Sequence, residues 1–179
     1  MLDIKNCCLA VVDVQGKLAQ LMHGKDALFK NIQILIQAAQ ILEIPILWCQ
    51  QVPDALGPTI PEIAELLTDV EPTNKAAFSC CGTDQFISKL NESSRNQALL
   101  CGIEAHICVY QTAVDLLGKG FRVNVVADAV SSRTLDNKQI ALSRLAAEGA
   151  SITSVEMALF ELLRTAEHPK FRQIAKLIK

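Results

Sequence analysis

Apolar residues along this chain fall into two alternating rhythms. Cys7–Val14 (CCLAVVDV) is a short, almost wholly apolar run, the pattern of a strand buried on both faces. Lys25–Glu43 then sets Leu28, Ile32, Leu35, Ile36, Ala39 and Leu42 at the spacing of one helix face. Ile44–Gln50 reads as a second strand. A loop rich in proline and glycine follows (QVPDALGPTIPE), then a short helix over Pro61–Leu67 with Pro61 in a first-turn position. Asp69–Gly82 has no period and reads as irregular. Thr83–Ser93 is expected as a helix capped by Thr83.

Asn96–Ile103 is the third predicted strand, and Ala105–Gly120 a helix closed by Gly118 and Gly120. Phe121–Ala129 is the fourth strand, Asp136–Glu148 a helix, and Ala150–Ser154 a short fifth strand. Ser154 is expected to cap a helix over Val155–Ala166, and an amphipathic helix closes the chain from His168. Strands alternating with helices imply βαβ crossovers. The expected fold is therefore α/β: three α/β/α layers around a mainly parallel, Rossmann-like central sheet. Without internal repeats, low-complexity segments or linkers, residues 1–179 are expected to form a single domain.

Half of the residues are hydrophobic, enough for a core that needs neither metal nor disulfide. Seventeen basic residues face nineteen acidic ones, a formal charge of −2. That balance speaks against a nucleic-acid or anionic-membrane partner, since either calls for a basic patch. Seven cysteines include the adjacent pairs Cys7–Cys8 and Cys80–Cys81 but no C-x-x-C, and only His23, His106 and His168 are available as imidazole ligands. A zinc site by ligand spacing is not expected from that inventory, and no cofactor is expected for the chain. The sequence has no signal-peptide pattern at its start and no apolar run long enough to span a bilayer, so the expected setting is the reducing cytoplasm.

In parallel α/β sheets ligands bind beyond the carboxyl ends of the strands, so the polar residues there are the candidates. Asp13 follows the first strand. At the mouth of an apolar strand a carboxylate is partly desolvated and suits a general base; alone it reads equally as a capping or surface residue. Cys108 falls in the first turn after the third strand, where unpaired amides are expected to lower a thiol pKa and to hold an oxyanion; most free cysteines, though, are small buried hydrophobes. Cys7, Cys8 and Cys101 lie inside strands and read as the latter, while Cys49 near a strand end is open. Lys75 gains meaning only beside an Asp and a thiol, where it would supply positive charge. Asp128 either ties down the loop after its strand or touches substrate. His106 is two residues from Cys108, a spacing that points the side chains to different helix faces. Neither G-x-G-x-x-G after the first strand, nor a phosphate-binding P-loop, nor G-x-S-x-G occurs.

AVVDVQGKL (Ala10–Leu18), CQQVPDALGPTIPEI (Cys49–Ile63), KAAFSCCGT (Lys75–Thr83), LLCGIEAHICVYQTAVDLLGKGFRVNVVADAVSSR (Leu99–Arg133) and GASITSVEMALFELL (Gly149–Leu163) together resemble the isochorismatase-like cysteine hydrolases, especially their small isochorismatase domain-containing branch. The resemblance implies the isochorismatase-like hydrolase fold and a catalytic triad of Asp13, Lys75 and Cys108. It also implies a cis peptide between Ile103 and Glu104 and an oxyanion site of the Glu104 and Cys108 backbone N–H groups. The implied reaction is hydrolysis of a small amide, carbamoyl or related C–N bond through a cysteine thioester.

Around Trp48–Val52 the chain carries Gln50 and Gln51 in place of the Asp and His that bind metal in the nicotinamidase branch, and Cys108 departs from isochorismatase proper, which lacks the nucleophile. The expected partner is a small-molecule substrate, with Gln15, Trp48 and Phe78 as possible pocket residues and Leu21 and His23 as further ones. The resemblance also implies a homo-oligomer, a dimer or larger. Two other readings stay open: a non-catalytic scaffold that retains the fold, and a redox-responsive thiol protein.

Overall fold

The computed structural model describes residues 1–179. Its sheet contains β1 (Cys7–Val12), β2 (Ile46–Gln51), β3 (Thr73–Lys75), β4 (Gln97–Ile103), β5 (Arg122–Ser131) and β6 (Ser151–Thr153) in the spatial order β3-β2-β1-β4-β5-β6. Every pairing is parallel. The order reverses between β1 and β4, and that reversal opens a crevice at the carboxyl ends of those two strands.

Side-chain alternation along the central strands divides the core in two. Cys7, Leu9 and Val11 of β1 face one layer, packed against Leu28, Ile32, Leu35 and Ile36 of α2 (Lys25–Ile41) and Leu159 and Leu162 of α8 (Val155–Leu163). Cys8, Ala10 and Val12 face the other. There they meet Phe86 and Leu90 of α5 (Asp84–Glu92), Ala113 and Leu116 of α6 (Tyr110–Gly118), and Ala141 and Leu145 of α7 (Leu135–Ala147). Burial on both faces explains why β1 and β4 read as continuous apolar runs. The last helix, α9 (Phe171–Leu177), buries Ile174 in the first of these layers.

The sheet has six strands where five were expected. The extra one, β3, lies inside the segment read as irregular; Thr73-Asn74-Lys75 has no apolar signal and is a strand only through its pairing with Cys49, Gln50 and Gln51 of β2. Two short helices, α1 (Gly16–Gln20) and α3 (Pro53–Leu56), likewise carry too few turns to show a period; α4 follows at Pro61–Ala64. Thr83 occupies the N-cap of α5 without a side-chain cap hydrogen bond, contrary to expectation, whereas Ser154 Oγ accepts from Met157 N at 3.2 Å. The segment after β4 opens as a wide π turn, Ala105–Val109, before α6 begins.

Close backbone approach fixes one glycine at the crevice. Gly102 has φ +118°, and a Cβ there would stand 2.0 Å from Val12 O, so β1 and β4 come together only with glycine at this point. Beside it the β4–β5 register jumps from Leu100↔Val125 to Gly102↔Val130. The extra residues bulge outward and carry Asp128, whose Oδ1 accepts Val155 N at 2.9 Å and ties down the start of α8.

Candidate active site

Asp13 is the first residue past β1, with φ +50° and 3% exposure. Its backbone N–H donates to Cys49 O, which aims the residue across the sheet mouth. Lys75 ends β3, two strands away, and its side chain passes over the end of β2. Lys75 Nζ donates to Asp13 Oδ2 at 2.6 Å and to Gln51 Oε1 at 2.6 Å, with Ala77 O and Phe78 O at 3.2 and 3.0 Å. Gln51 is itself held: its N–H donates to Gln15 Oε1 at 2.6 Å and its Nε2 to Ala76 O at 2.7 Å. Gln15 Nε2 donates to Gly57 O and Gln51 O, bracing α3 against β2.

Cys108 stands on the π turn after β4, buried, and borders the same cavity as Asp13. The Ile103–Glu104 peptide is cis. Glu104 turns its carboxylate to Arg133, with Oε2 accepting from the Arg133 backbone N–H at 3.0 Å and Nε at 3.2 Å. The cavity, about 140 Å³, is walled by Leu18, Leu56, Phe78, Ile103 and Ile107, with Asp13, Gln51, Glu104 and Cys108 completing the lining.

Burial pushes the Asp13 carboxyl above its ordinary range; the charge and hydrogen bond of Lys75, and to a lesser degree the neighbouring Cys108 thiol, reduce that shift without reversing it. Burial would lower Lys75, but the charge of Asp13 and the hydrogen bond that Asp13 accepts from it, with the neighbouring sulfurs acting in the same direction, outweigh burial and raise Lys75. The Cys108 thiol is pushed up to about 12, first by burial and then by the charge of Asp13. The expected lowering by a helix terminus is therefore overturned. The turn at Cys108 is a short π turn, and its amides are outweighed by desolvation and a carboxylate neighbour. The site at neutral pH holds a protonated thiol beside Asp13, whose Oδ1 is buried without a hydrogen-bond partner.

Among the pocket candidates, Phe78 lines the cavity and is 54% exposed at its rim. Gln15 and Trp48 do not line it. Gln15 is fully buried in the bracing network, and Trp48 packs in the core with its Nε1 donating to Thr59 Oγ1 at 2.9 Å. That buried hydroxyl satisfies the indole N–H and lets the ring sit in the core rather than at a pocket wall. Leu21 and His23 are exposed and lie outside the lining. His106 Nδ1 pairs with Ser132 Oγ at 2.9 Å, away from Cys108. Cys7, Cys8 and Cys101 are buried strand residues whose thiols burial pushes up, and Cys49 is buried inside β2, raised by the neighbouring Cys80 and by burial. Sequence reasoning missed Gln51 as the second acceptor for Lys75. Its place, beside the Lys75 pairing position of an unrecognised strand, was hidden with β3.

A doubly wound parallel sheet with a buried Asp–Lys pair and a cysteine at its switch point defines an α/β protein with a candidate site at the carboxyl edge of its sheet. The isochorismatase domain model matches residues 7–157, and the chain belongs to the isochorismatase family, whose members are generally hydrolases. It is 41% identical over 175 residues to the secreted isochorismatase effector Isc1 of Phytophthora sojae, covering 96% of this chain and 83% of that one. It is 37% identical over 177 residues to isochorismatase domain-containing protein 2 of Danio rerio, covering 99% and 89%. Among solved structures, the MAR1 ribonuclease of Caenorhabditis elegans superposes with a TM-score of 0.93 at 36% identity, over 99% of this chain and 91% of that one. The YcaC product of Escherichia coli, described as an octameric hydrolase of unknown specificity, has the same fold with a TM-score of 0.93 at 22% identity, over 99% and 88%. No helix of this chain is long and apolar enough to cross a membrane.

Proposed function

We propose that the chain is a metal-independent cysteine hydrolase of small amide, carbamoyl or related C–N bonds, with Asp13, Lys75 and Cys108 as its catalytic triad. The observation that carries this reading is the division of labour at Asp13. Oδ2 is fixed by Lys75, while Oδ1 stays unpartnered beside the cavity that Asp13 and Cys108 both line. The thiol keeps its proton until substrate is bound. Asp13 then accepts that proton as Cys108 Sγ attacks the carbonyl carbon. The backbone N–H groups of Glu104 and Cys108 take the oxyanion. As the tetrahedral intermediate collapses, the C–N bond breaks and Asp13 returns the proton to the departing nitrogen. Water, deprotonated by Asp13, attacks the thioester; the acid leaves and the proton goes back to the cysteine sulfur. Lys75 keeps Asp13 oriented and its charge compensated throughout.

The scaffold alternative gives no account of a buried ion pair, which contributes little net stability against apolar residues of similar size. The redox alternative is weakened by the retained proton, because the thiolate is the oxidisable form. The Caenorhabditis elegans neighbour is described as a ribonuclease, but this cavity is lined by two carboxylates and no Lys or Arg, a poor match to phosphodiesters. A small-molecule substrate therefore fits better than a nucleic acid. The reading includes a homo-oligomer, by analogy with the octameric Escherichia coli neighbour, and a cytoplasmic setting.

The test is intact-protein mass spectrometry during turnover of a primary-amide panel. An acyl adduct mapped to Cys108, and loss of turnover in a folded Cys108→Ala variant, are expected. Turnover in Cys108→Ala near the wild-type rate would remove the nucleophile assignment.

A further inference from the structure

The cavity also restricts what can be bound beside Cys108. We infer that the site takes uncharged primary amides with a short apolar acyl chain and rejects charged analogues; this rests on the hydrolase reading for the fate of the amide.

Polar capacity in the lining is almost wholly committed. Gln51 gives its carbonyl to Lys75 and its amide to Ala76 O. Glu104 Oε2 is committed to Arg133. Lys75 and Arg133 stand behind the wall rather than in it, each spent on a lining carboxylate, Lys75 on Asp13 and Arg133 on Glu104. A substrate carboxylate would lose its water beside Asp13 and Glu104 with no uncommitted cation to meet it, which is unfavourable. An ammonium group would be drawn to Asp13 Oδ1, the one side-chain oxygen of the lining that is buried and unpartnered. In doing so it would occupy the atom that must receive the thiol proton, and its stem would lie among Leu18 and Ile107. Hydroxyl-rich ligands find no free side-chain donor either.

Size and shape favour the same class. A cavity of about 140 Å³ is comparable to the roughly 150 Å³ apolar cavity in which benzene is held, so five or six carbon atoms fill it. Its apolar wall continues outward through Leu56 and Phe78, 37% and 54% exposed, so a slightly longer chain stays on apolar surface as it leaves the mouth. An apolar rim contiguous with an apolar cavity marks a binding surface for a ligand of the same character.

The probes are pentanamide, glutaramate and ω-aminopentanamide, which share length and amide and differ in terminal charge. Binding to Cys108→Ala is read by NMR titration, and hydrolysis by wild-type protein as ammonia release. Pentanamide is expected to bind about tenfold or more tighter than either charged analogue. Equal or tighter binding of glutaramate or ω-aminopentanamide overturns the inference. Pentanamide preference without ammonia release or a Cys108 acyl adduct supports the ligand class and overturns the hydrolase reading instead. A second variant, Leu56→Arg, places a cation on the exposed rim and is expected to shift the glutaramate-to-pentanamide affinity ratio about tenfold toward glutaramate. An unchanged ratio also overturns the inference, since the rim would then not take part in charge selection.

Discussion

Lys75 Nζ lies 2.6 Å from Asp13 Oδ2, with both side chains nearly sealed from solvent, although the two residues are separated by β2 and 62 positions of sequence. The pair closes the carboxyl end of the sheet and leaves Oδ1 as the unpartnered oxygen of Asp13. Lys75→Met removes the cation and leaves a buried carboxylate alone, a loss of about 3–5 kcal/mol at neutral pH. The loss should shrink as pH falls, because a protonated Asp13 no longer needs a counter-charge. Urea denaturation of wild type and variant at pH 8 and pH 5 checks this. A pH-independent difference would mean that packing of the Lys75 stem, not its charge, carries the effect.

Asp13→Asn separates the two influences of the carboxylate on Cys108. Asparagine cannot accept the thiol proton, so turnover should fall by two orders of magnitude or more, about the contribution of a positioned general base. Burial comes first among the causes that raise the thiol and the charge of Asp13 second, so removing that charge should lower the Cys108 pKa. Mass-spectrometric iodoacetamide labelling across pH reads this directly. Wild-type Cys108 should label slowly at neutral pH and accelerate toward about pH 12, and the variant should accelerate at lower pH. A profile displaced to higher pH in Asp13→Asn would show that the carboxylate acts on the resting thiol chiefly as an acceptor.

Alkaline pH should destabilise the fold. Cys7, Cys8, Cys81 and Cys108 are each raised from the ordinary thiol value of 9.0 to about 12, chiefly by burial. A thiol whose folded pKa exceeds its unfolded pKa holds its proton longer in the native state. Its contribution is intact below about pH 9 and is lost as pH rises toward 12. In that window each such group adds up to about 1.4 kcal/mol of lost stability per pH unit. The denaturation midpoint should be nearly flat from pH 7 to 8 and fall steeply above 9, and Cys7→Ala or Cys8→Ala should reduce the slope while lowering the plateau. A slope unchanged in both variants would place the alkaline transition elsewhere, with Lys75 as the next group whose raised pKa acts in the same direction.

The layers of the fold were legible because β1 and β4 are buried on both faces and α2 carries an uninterrupted helical stripe. Those patterns come from burial, which sequence records. β3 was not legible because three polar residues became a strand only through backbone pairing to β2. With β3 hidden, the route of Lys75 over the end of β2 and the part played by Gln51 were hidden too. Asp13, Lys75 and Cys108 were named from strand-end logic and family resemblance, and the structure brings Asp13 and Lys75 into contact and sets Cys108 on the same cavity. Their electrostatics were not legible. Whether a thiol at a helix start is lowered or raised depends on how dry the site is and which charge faces it, and here burial and Asp13 outweigh the turn's amides.

Gly102→Ala tests the geometry that brings the two halves of the site together. An alanine at φ +118° is strained in any setting, and its Cβ would press on Val12 O at 2.0 Å, with Val12 N and C also within 3 Å. These contacts are backbone atoms of the strand that carries Asp13, so no side-chain rotation relieves them. β1 and β4 must move apart, and Asp13 moves relative to Cys108 with them. A loss of about 3 kcal/mol or more is expected, in the range of severe backbone substitutions. Gly118→Ala is the matched control, because no atom lies within 4 Å of its Cβ position and its φ lies outside the left-handed region. As a helical residue it should be neutral or slightly stabilising, by up to about 1 kcal/mol. Thermal denaturation of both variants decides the matter. A Gly102→Ala protein as stable as Gly118→Ala would mean that the strands tolerate separation, and the tight β1–β4 approach would no longer account for the placement of Asp13 and Cys108.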